Sequence, residues 1–219
     1  MNRKEALTHV SILLGGALVG AEAFLSGCKN PAEKHDLFIA ADLALLDEIG
    51  ETIIPATPES GGAKAAGIST FMQSIVTDCY TEAERKTFSD GLARLKDACN
   101  RQFKKPFEQL SPADRTSFLT GLYNEAQAYV NTDTYKKARE QFDLQQDEKA
   151  KAAATKNDFG AAYLKAHYPP HYFTMMRQLT LWGYFSSETG MTKALRYVET
   201  PGRYDGAYPY KKGDKAWAM

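Results

Sequence analysis

The chain has 219 residues, 43% hydrophobic and 25% charged, enough to bury the core of one globular domain. Lysine plus arginine and aspartate plus glutamate number 27 each, and removing Arg3, Lys4, Glu5 and Glu22 with the first 27 residues leaves the balance even. A chain without net charge offers no basic face for nucleic acid and no long basic cluster for anionic lipid.

At the N-terminus, Arg3 and Lys4 precede an uncharged, mostly apolar run of twelve residues, Val10 to Ala21, and then Leu25-Ser26-Gly27-Cys28. A bilayer span takes about 20 residues, so the run reads as the core of a signal peptide. Leu25 at −3, small residues at −2 and −1 and Cys28 at +1 resemble a bacterial lipobox, in which the cysteine is lipidated and becomes the new N-terminus. Residues 1–27 are therefore read as a lipoprotein signal peptide, 28–37 as a tether and 38–219 as the folded domain. Asn2-Arg3-Lys4-Glu5-Ala6-Leu7 also resembles a twin-arginine export signal, with Lys4 in place of the second arginine. Gly15, Gly16 and Gly20 fall inside the removed segment and carry no phosphate-binding role.

Within the domain, Leu43, Leu46, Ile49 and Ile53 recur at spacings of 3, 3 and 4, an apolar helix stripe stopped by Pro55. Pro55 to Ile68 is a Pro/Gly-rich loop leading to a helix through Phe71, Met72, Ile75 and Val76. Thr81 and Glu84 form a capping-box pattern that opens a third helix to about Phe103, with Phe88, Leu92, Leu95, Cys99 and Phe103 on its buried face. That helix sets Cys79 and Cys99 roughly 25 to 30 Å apart, beyond disulfide reach, and makes Cys99 a small core hydrophobe. Ser111-Pro112-Ala113-Asp114 starts a fourth helix, buried through Phe118, Leu119, Leu122, Ala126 and Val130. From Asn131 to Asp158, twelve of 28 residues are charged, which predicts an exposed helix or a solvated excursion. Leu179 to Phe185 and Met191 to Val198 read as short helices around a corner at Ser186 to Gly190. The class is all-α, a compact helical domain with an irregular aromatic, Gly- and Pro-rich C-terminal segment.

Of 25 aromatic residues, 13 lie between Phe159 and Trp217, and after Val198 there is no Leu, Ile or Val. Such a tail cannot build its own core, so the aromatic-rich region reads as a contact surface, with packing on its own domain the other option. Several chemistries find no residue set. His167 and His171 have the i, i+4 spacing of metal ligands, but Pro169-Pro170 breaks the helix that would align them, and they read as a turn. Ser187-Glu188 lacks a nucleophile elbow and a nearby histidine and reads as a helix cap. There is no Cys-x-x-Cys-His for a c-type haem and no strand-linked glycine motif for FAD or NAD, so no catalytic, cofactor-binding or metal residue is nominated.

Leu179-Thr180, Gly183-Tyr184-Phe185, Ser187-Glu188, Gly190, Tyr197, Pro201-Gly202, Tyr204 and Gly206, with Thr52 to Thr57 and Gly62 to Gly67, resemble the gluconate 2-dehydrogenase subunit 3 family. The resemblance implies a small helical protein, exported as a lipoprotein or twin-arginine substrate to a bacterial membrane. It would accompany a flavoprotein of the glucose-methanol-choline type that oxidises gluconate, glucose or related sugars and glycosides. FAD would sit in that large subunit, a cytochrome c or other acceptor would take the electrons, and this chain would hold no cofactor. On that reading Tyr184, Phe185, Glu188, Tyr204, Tyr208, Tyr210 and Trp217 are interface candidates and Cys28 is the lipid attachment site. The alternative is a free-standing carbohydrate-binding lipoprotein using its Tyr and Trp surface.

Overall fold

The computed structural model describes residues 37–156, 166–200 and 202–218. The residues read as a signal peptide, Cys28 and the expected tether up to residue 36 lie outside them, as do Phe159, Tyr163 and Pro201. Among the described residues there are six α-helices: α1 (Ala40–Ile53), α2 (Ile68–Asp78), α3 (Glu82–Phe103), α4 (Pro112–Tyr129), α5 (Asp133–Thr155) and α6 (Tyr172–Ser186). Short 3-10 turns occupy Lys64–Ala66 and Phe107–Gln109, and a π-helical turn occupies Gly190–Ala194. The fold is all-α, and the only β-type pairings among these residues are isolated, Thr57 with Ser60 and Arg196 with Trp217. No helix among them is long and apolar enough to cross a membrane.

The helix starts follow from their caps. Thr81 Oγ1 accepts from Glu84 N–H at 3.4 Å while Glu84 Oε2 accepts from Thr81 N–H at 2.8 Å, the reciprocal box that opens α3. Ser111 Oγ accepts from Asp114 N–H at 3.2 Å behind Pro112 at the first position of α4. Cys79 is exposed, Cys99 is buried and both are free; burial pushes the Cys99 thiol up, and Glu108 adds to it, which leaves it unreactive.

The central element is α6. Tyr172, Phe173, Met175, Met176, Leu179, Thr180, Gly183 and Tyr184 are buried, more than one stripe of a helix, because α1, α2, α3 and α4 all pack around it. Two expectations change here. The helix begins seven residues before Leu179, since Pro169-Pro170 ends just where His171 can cap it, with Nδ1 accepting from Phe173 N–H at 3.3 Å. The helix expected over Met191 to Val198 is only the π turn, and the chain is extended from Leu195 because the Arg196 backbone pairs with Ala216 and Ala218 instead of with its own preceding turn.

The polar stretch after Asn131 is the 23-residue α5, whose one buried residue, Tyr135, sits between Tyr129 and Tyr168 with ring centroids 5.0 and 5.4 Å away. The rest of the helix is exposed or half-buried, with charged residues the commonest on its surface and Leu144 standing out among them at 59% exposure.

Between α1, α4 and the 3-10 turn at Lys64, Glu48 accepts from Lys64 Nζ and from Arg115 Nη1, each at 2.5 Å, and Arg115 Nη2 donates to the Glu108 carbonyl. Burial alone would raise the Glu48 pKa, but the hydrogen bond from Lys64 and the Arg115 charge outweigh it and hold it below the usual 4.5. A carboxyl depressed in the folded state stabilises the protein above its unfolded pKa, and that contribution is lost as pH falls through the folded value. Arg115→Ala is therefore expected to cost about 2 kcal/mol at pH 7. Urea unfolding should show that deficit narrowing below about pH 4, where wild type also loses the interaction; a deficit independent of pH would contradict the assignment.

Candidate functional site

Two of the stretches that carry the sequence resemblance, the end of α6 with its following turn and the loop from Pro55 to Gly67, meet at one corner. Tyr184, near the end of α6, donates its hydroxyl to the Gly61 carbonyl at 2.8 Å and is hydrogen-bonded to the Ser60 hydroxyl, pinning the Pro55–Gly67 loop to α6. Glu51 organises the same loop from inside, its two oxygens accepting from Ala56 N–H at 2.8 Å and Lys64 N–H at 3.0 Å. Gly62 lies against that carboxylate, where any Cβ would collide with it. Gly67, at φ 67°, makes the left-handed link into α2.

The turn after α6 is closed by Ser187, whose hydroxyl donates to the Tyr184 carbonyl at 2.7 Å and accepts from Gly190 N–H at 3.0 Å. Ser187 is thus a cap, as its sequence context predicts, and its oxygen is engaged by backbone. The motif builds a turn and presents no nucleophile with a base.

Tyr184 is the correction among the interface candidates: at 3% exposure its ring belongs to the core, because its hydroxyl reaches inward to the loop. Phe185 and Glu188 are exposed beside it. Trp182, which was not among the candidates, is 57% exposed on the same end of α6 and stands edge-on to Phe71 of α2, centroids 5.3 Å apart. Gly183 permits that approach, since a Cβ there would come within 2.6 Å of the Phe71 ring. The signal for Trp182 was present in the α6 periodicity, which buries 179, 180, 183 and 184 and turns 182 outward.

The tail folds back on the chain that leads into it. Arg196 N–H donates to the Ala216 carbonyl at 2.7 Å and Ala218 N–H donates to the Arg196 carbonyl at 2.9 Å. The Arg196 guanidinium lies over the Trp217 ring at 4.7 Å and the Tyr208 ring at 5.4 Å, with Asp214 Oδ2 3.5 Å away. Tyr208 and Trp217 are therefore half spent on this clasp. Tyr204, at 97% exposure, and Tyr210, at 76%, are left facing solvent.

His167 and His171 do not share surroundings: His167 is exposed, whereas His171 is buried, with Nε2 3.7 Å from Glu125 Oε1. Burial lowers the His171 pKa, opposed by Glu125. Among the described residues no three His, Cys, Asp or Glu side chains gather into a metal-ligand set.

A family model described as gluconate 2-dehydrogenase subunit 3 matches residues 40–202, which takes in α1 to α6, the corner and the start of the tail. No curated protein and no solved structure matches the chain.

Proposed function

The chain belongs to the gluconate 2-dehydrogenase subunit 3 family, and on that premise we propose that it is the non-catalytic small subunit of an exported dehydrogenase complex. Its partner is an FAD-dependent flavoprotein of the glucose-methanol-choline type that oxidises gluconate, glucose or related sugars and glycosides. This chain accompanies the flavoprotein through export, stabilises it and holds it on the outer side of a bacterial membrane through lipid on Cys28. Electrons leave the flavin for a cytochrome c or another acceptor. The observation that supports the reading most is the family match over the whole helical body. The exposed set Trp182, Phe185, Tyr204 and Tyr210 suits it, being rich in the rings that anchor protein interfaces.

The test is purification of the tagged full-length chain from its native membranes. A flavoprotein should come with it, carrying the flavin spectrum, while the chain made alone should show no visible absorbance and reduce no dye with sugar. Lipid on Cys28 contributes about 0.8 kcal/mol per buried methylene, so Cys28→Ser should move the intact complex to the soluble fraction. Recovery of the chain without a flavoprotein, or a Cys28→Ser form that still sediments with membranes, would count against the reading.

A further inference from the structure

The first turn of α6 is held by a side chain that titrates. His171 Nδ1 accepts from Phe173 N–H at 3.3 Å, so the neutral ring keeps its proton on Nε2, 3.7 Å from Glu125 Oε1. The ring is buried, 4.2 Å from the Tyr172 ring and 5.6 Å from that of Tyr129. Serine, threonine, asparagine and aspartate caps keep their acceptor throughout the range near neutrality. A histidine cap does not, because a proton on Nδ1 occupies the lone pair that Phe173 uses. His171 also lines a groove of about 710 Å³ between α3, α4, α5 and the segment 168–172, which gives protons a path from solvent to the ring.

The groups around the ring set the direction of its response. Burial lowers its proton affinity most, Glu125 on α4 opposes that, and Arg94 on α3 adds to it. The outcome is a ring that takes a second proton less readily than a free histidine. Tyr129 and Tyr172 stay neutral, since burial raises both phenols, Tyr172 to about 12. Along the same groove Lys86 Nζ and Asp90 Oδ2 pair with each other at 3.0 Å, and Arg101 lies two turns of α3 beyond Arg94.

We propose that His171 is an acid-sensitive switch for the start of α6: a proton on Nδ1 breaks the cap, frees Phe173 N–H and loosens the turn that lays Tyr172 against Gly91 of α3. Opening that turn returns the ring to solvent and to the affinity of a free histidine, near 6.5, so acid favours the opened form. The closed form therefore has its full advantage above about pH 6.5. Below it that advantage falls by up to about tenfold per pH unit, until the closed ring is protonated as well. The switch belongs to this chain and does not rest on the flavoprotein reading, so either can fail without the other.

Amide hydrogen exchange decides it, read by NMR on the full-length chain in detergent from pH 7.5 to 5 and expressed as protection relative to the free-peptide rate. Protection at Phe173 should be constant above about pH 6.5 and fall below it by up to about tenfold per unit, while amides in the middle of α3 keep theirs. His171→Asn, which retains a side-chain acceptor and cannot titrate, should make Phe173 protection independent of pH, and His171→Ala should lower it at every pH. Glu125→Gln should extend the fall to lower pH and Arg94→Gln should end it sooner; both side chains are exposed, so neither change disturbs the core. Ring nitrogen shifts should place the proton of the neutral form on Nε2. A neutral ring protonated on Nδ1, Phe173 protection unchanged from pH 7.5 to 5, or a fall that persists in His171→Asn would overturn the proposal.

Discussion

Removing the residues after Val198 is expected to abolish capture of the flavoprotein while leaving the helical body folded. The buried core ends with Tyr184, and only Ala194 among the later residues packs against it, so the deletion takes no buried apolar side chain from α1 to α6. What it takes is Tyr204 and Tyr210, which face solvent, and Tyr208 and Trp217, which hold Arg196. Two or three aromatic anchors at about 2 kcal/mol each amount to three or four powers of ten in affinity. Tyr204→Ala with Tyr210→Ala should lose much of that on their own, because those rings face solvent among the described residues. The readout is binding to the purified flavoprotein, with circular dichroism to verify that the truncated form is helical. A folded, truncated form of undiminished affinity would move the interface to Trp182, Phe185 and the Pro55–Gly67 loop.

Gly91→Ala should destabilise the protein by about 2 to 3 kcal/mol, although alanine favours a helix over glycine by about 1 kcal/mol. Gly91 is buried on α3 with the Tyr172 side chain laid across it, and a Cβ there would overlap Tyr172 Cβ and Cγ and stand 2.7 Å from Cδ2. Those atoms are at the root of the side chain and cannot swing aside, so α6 itself would have to retreat. Because α6 is the element the other helices share, the displacement would be felt throughout the core. Gly121, exposed on α4 with open space for 4 Å around the place a Cβ would take, is the matching control: Gly121→Ala should gain about 0.5 to 1 kcal/mol. Urea unfolding of the two variants separates the effects; a Gly91→Ala protein as stable as wild type would mean that α3 and α6 meet less tightly than these distances require.

These two glycines show which part of the fold the sequence could yield. Starts and stops were legible where the signal is local: Thr81 with Glu84, Ser111-Pro112, and Pro55 after an apolar stripe. The buried faces of α3 and α4 followed from period apart from their ends, Phe103 and Val130, which are half-buried, whereas α1 buries Leu45 beside Leu46 and Ile49 and leaves Leu43 and Ile53 half-buried. The true start of α6 was not legible, since a histidine cap behind two prolines is a rare signal and a helix buried on most sides has no stripe to follow. Tyrosine composition says nothing about direction, so the inward turn of the Tyr184 ring was not legible either; it depends on a carbonyl 123 residues away in sequence. Met191 to Val198 read as helical because nothing nearby reveals that the backbone of Arg196 is claimed by Ala216 and Ala218. The resemblance motif was legible as a pattern, but most of its members build the corner, leaving the exposed rings beside it as the candidates for contact.

The clasp on Arg196 closes a loop of roughly 20 residues, and tying the ends of a flexible loop that long together costs about 2.7 kcal/mol of chain entropy. Its two backbone hydrogen bonds return about 1 kcal/mol each and the partly exposed guanidinium–ring contacts about 0.5 to 1 kcal/mol more. The Tyr208–Trp217 ring pair and the hydrogen bond from Lys215 Nζ to the Lys193 carbonyl add to the closed side, leaving a small margin in its favour, so the Arg196 and Ala218 amides should exchange with solvent faster than those of α6. A partner that seizes the open form therefore meets little resistance, and one that grips the closed form inherits a rigid ring of about 20 residues whose ordering has already been met within the chain.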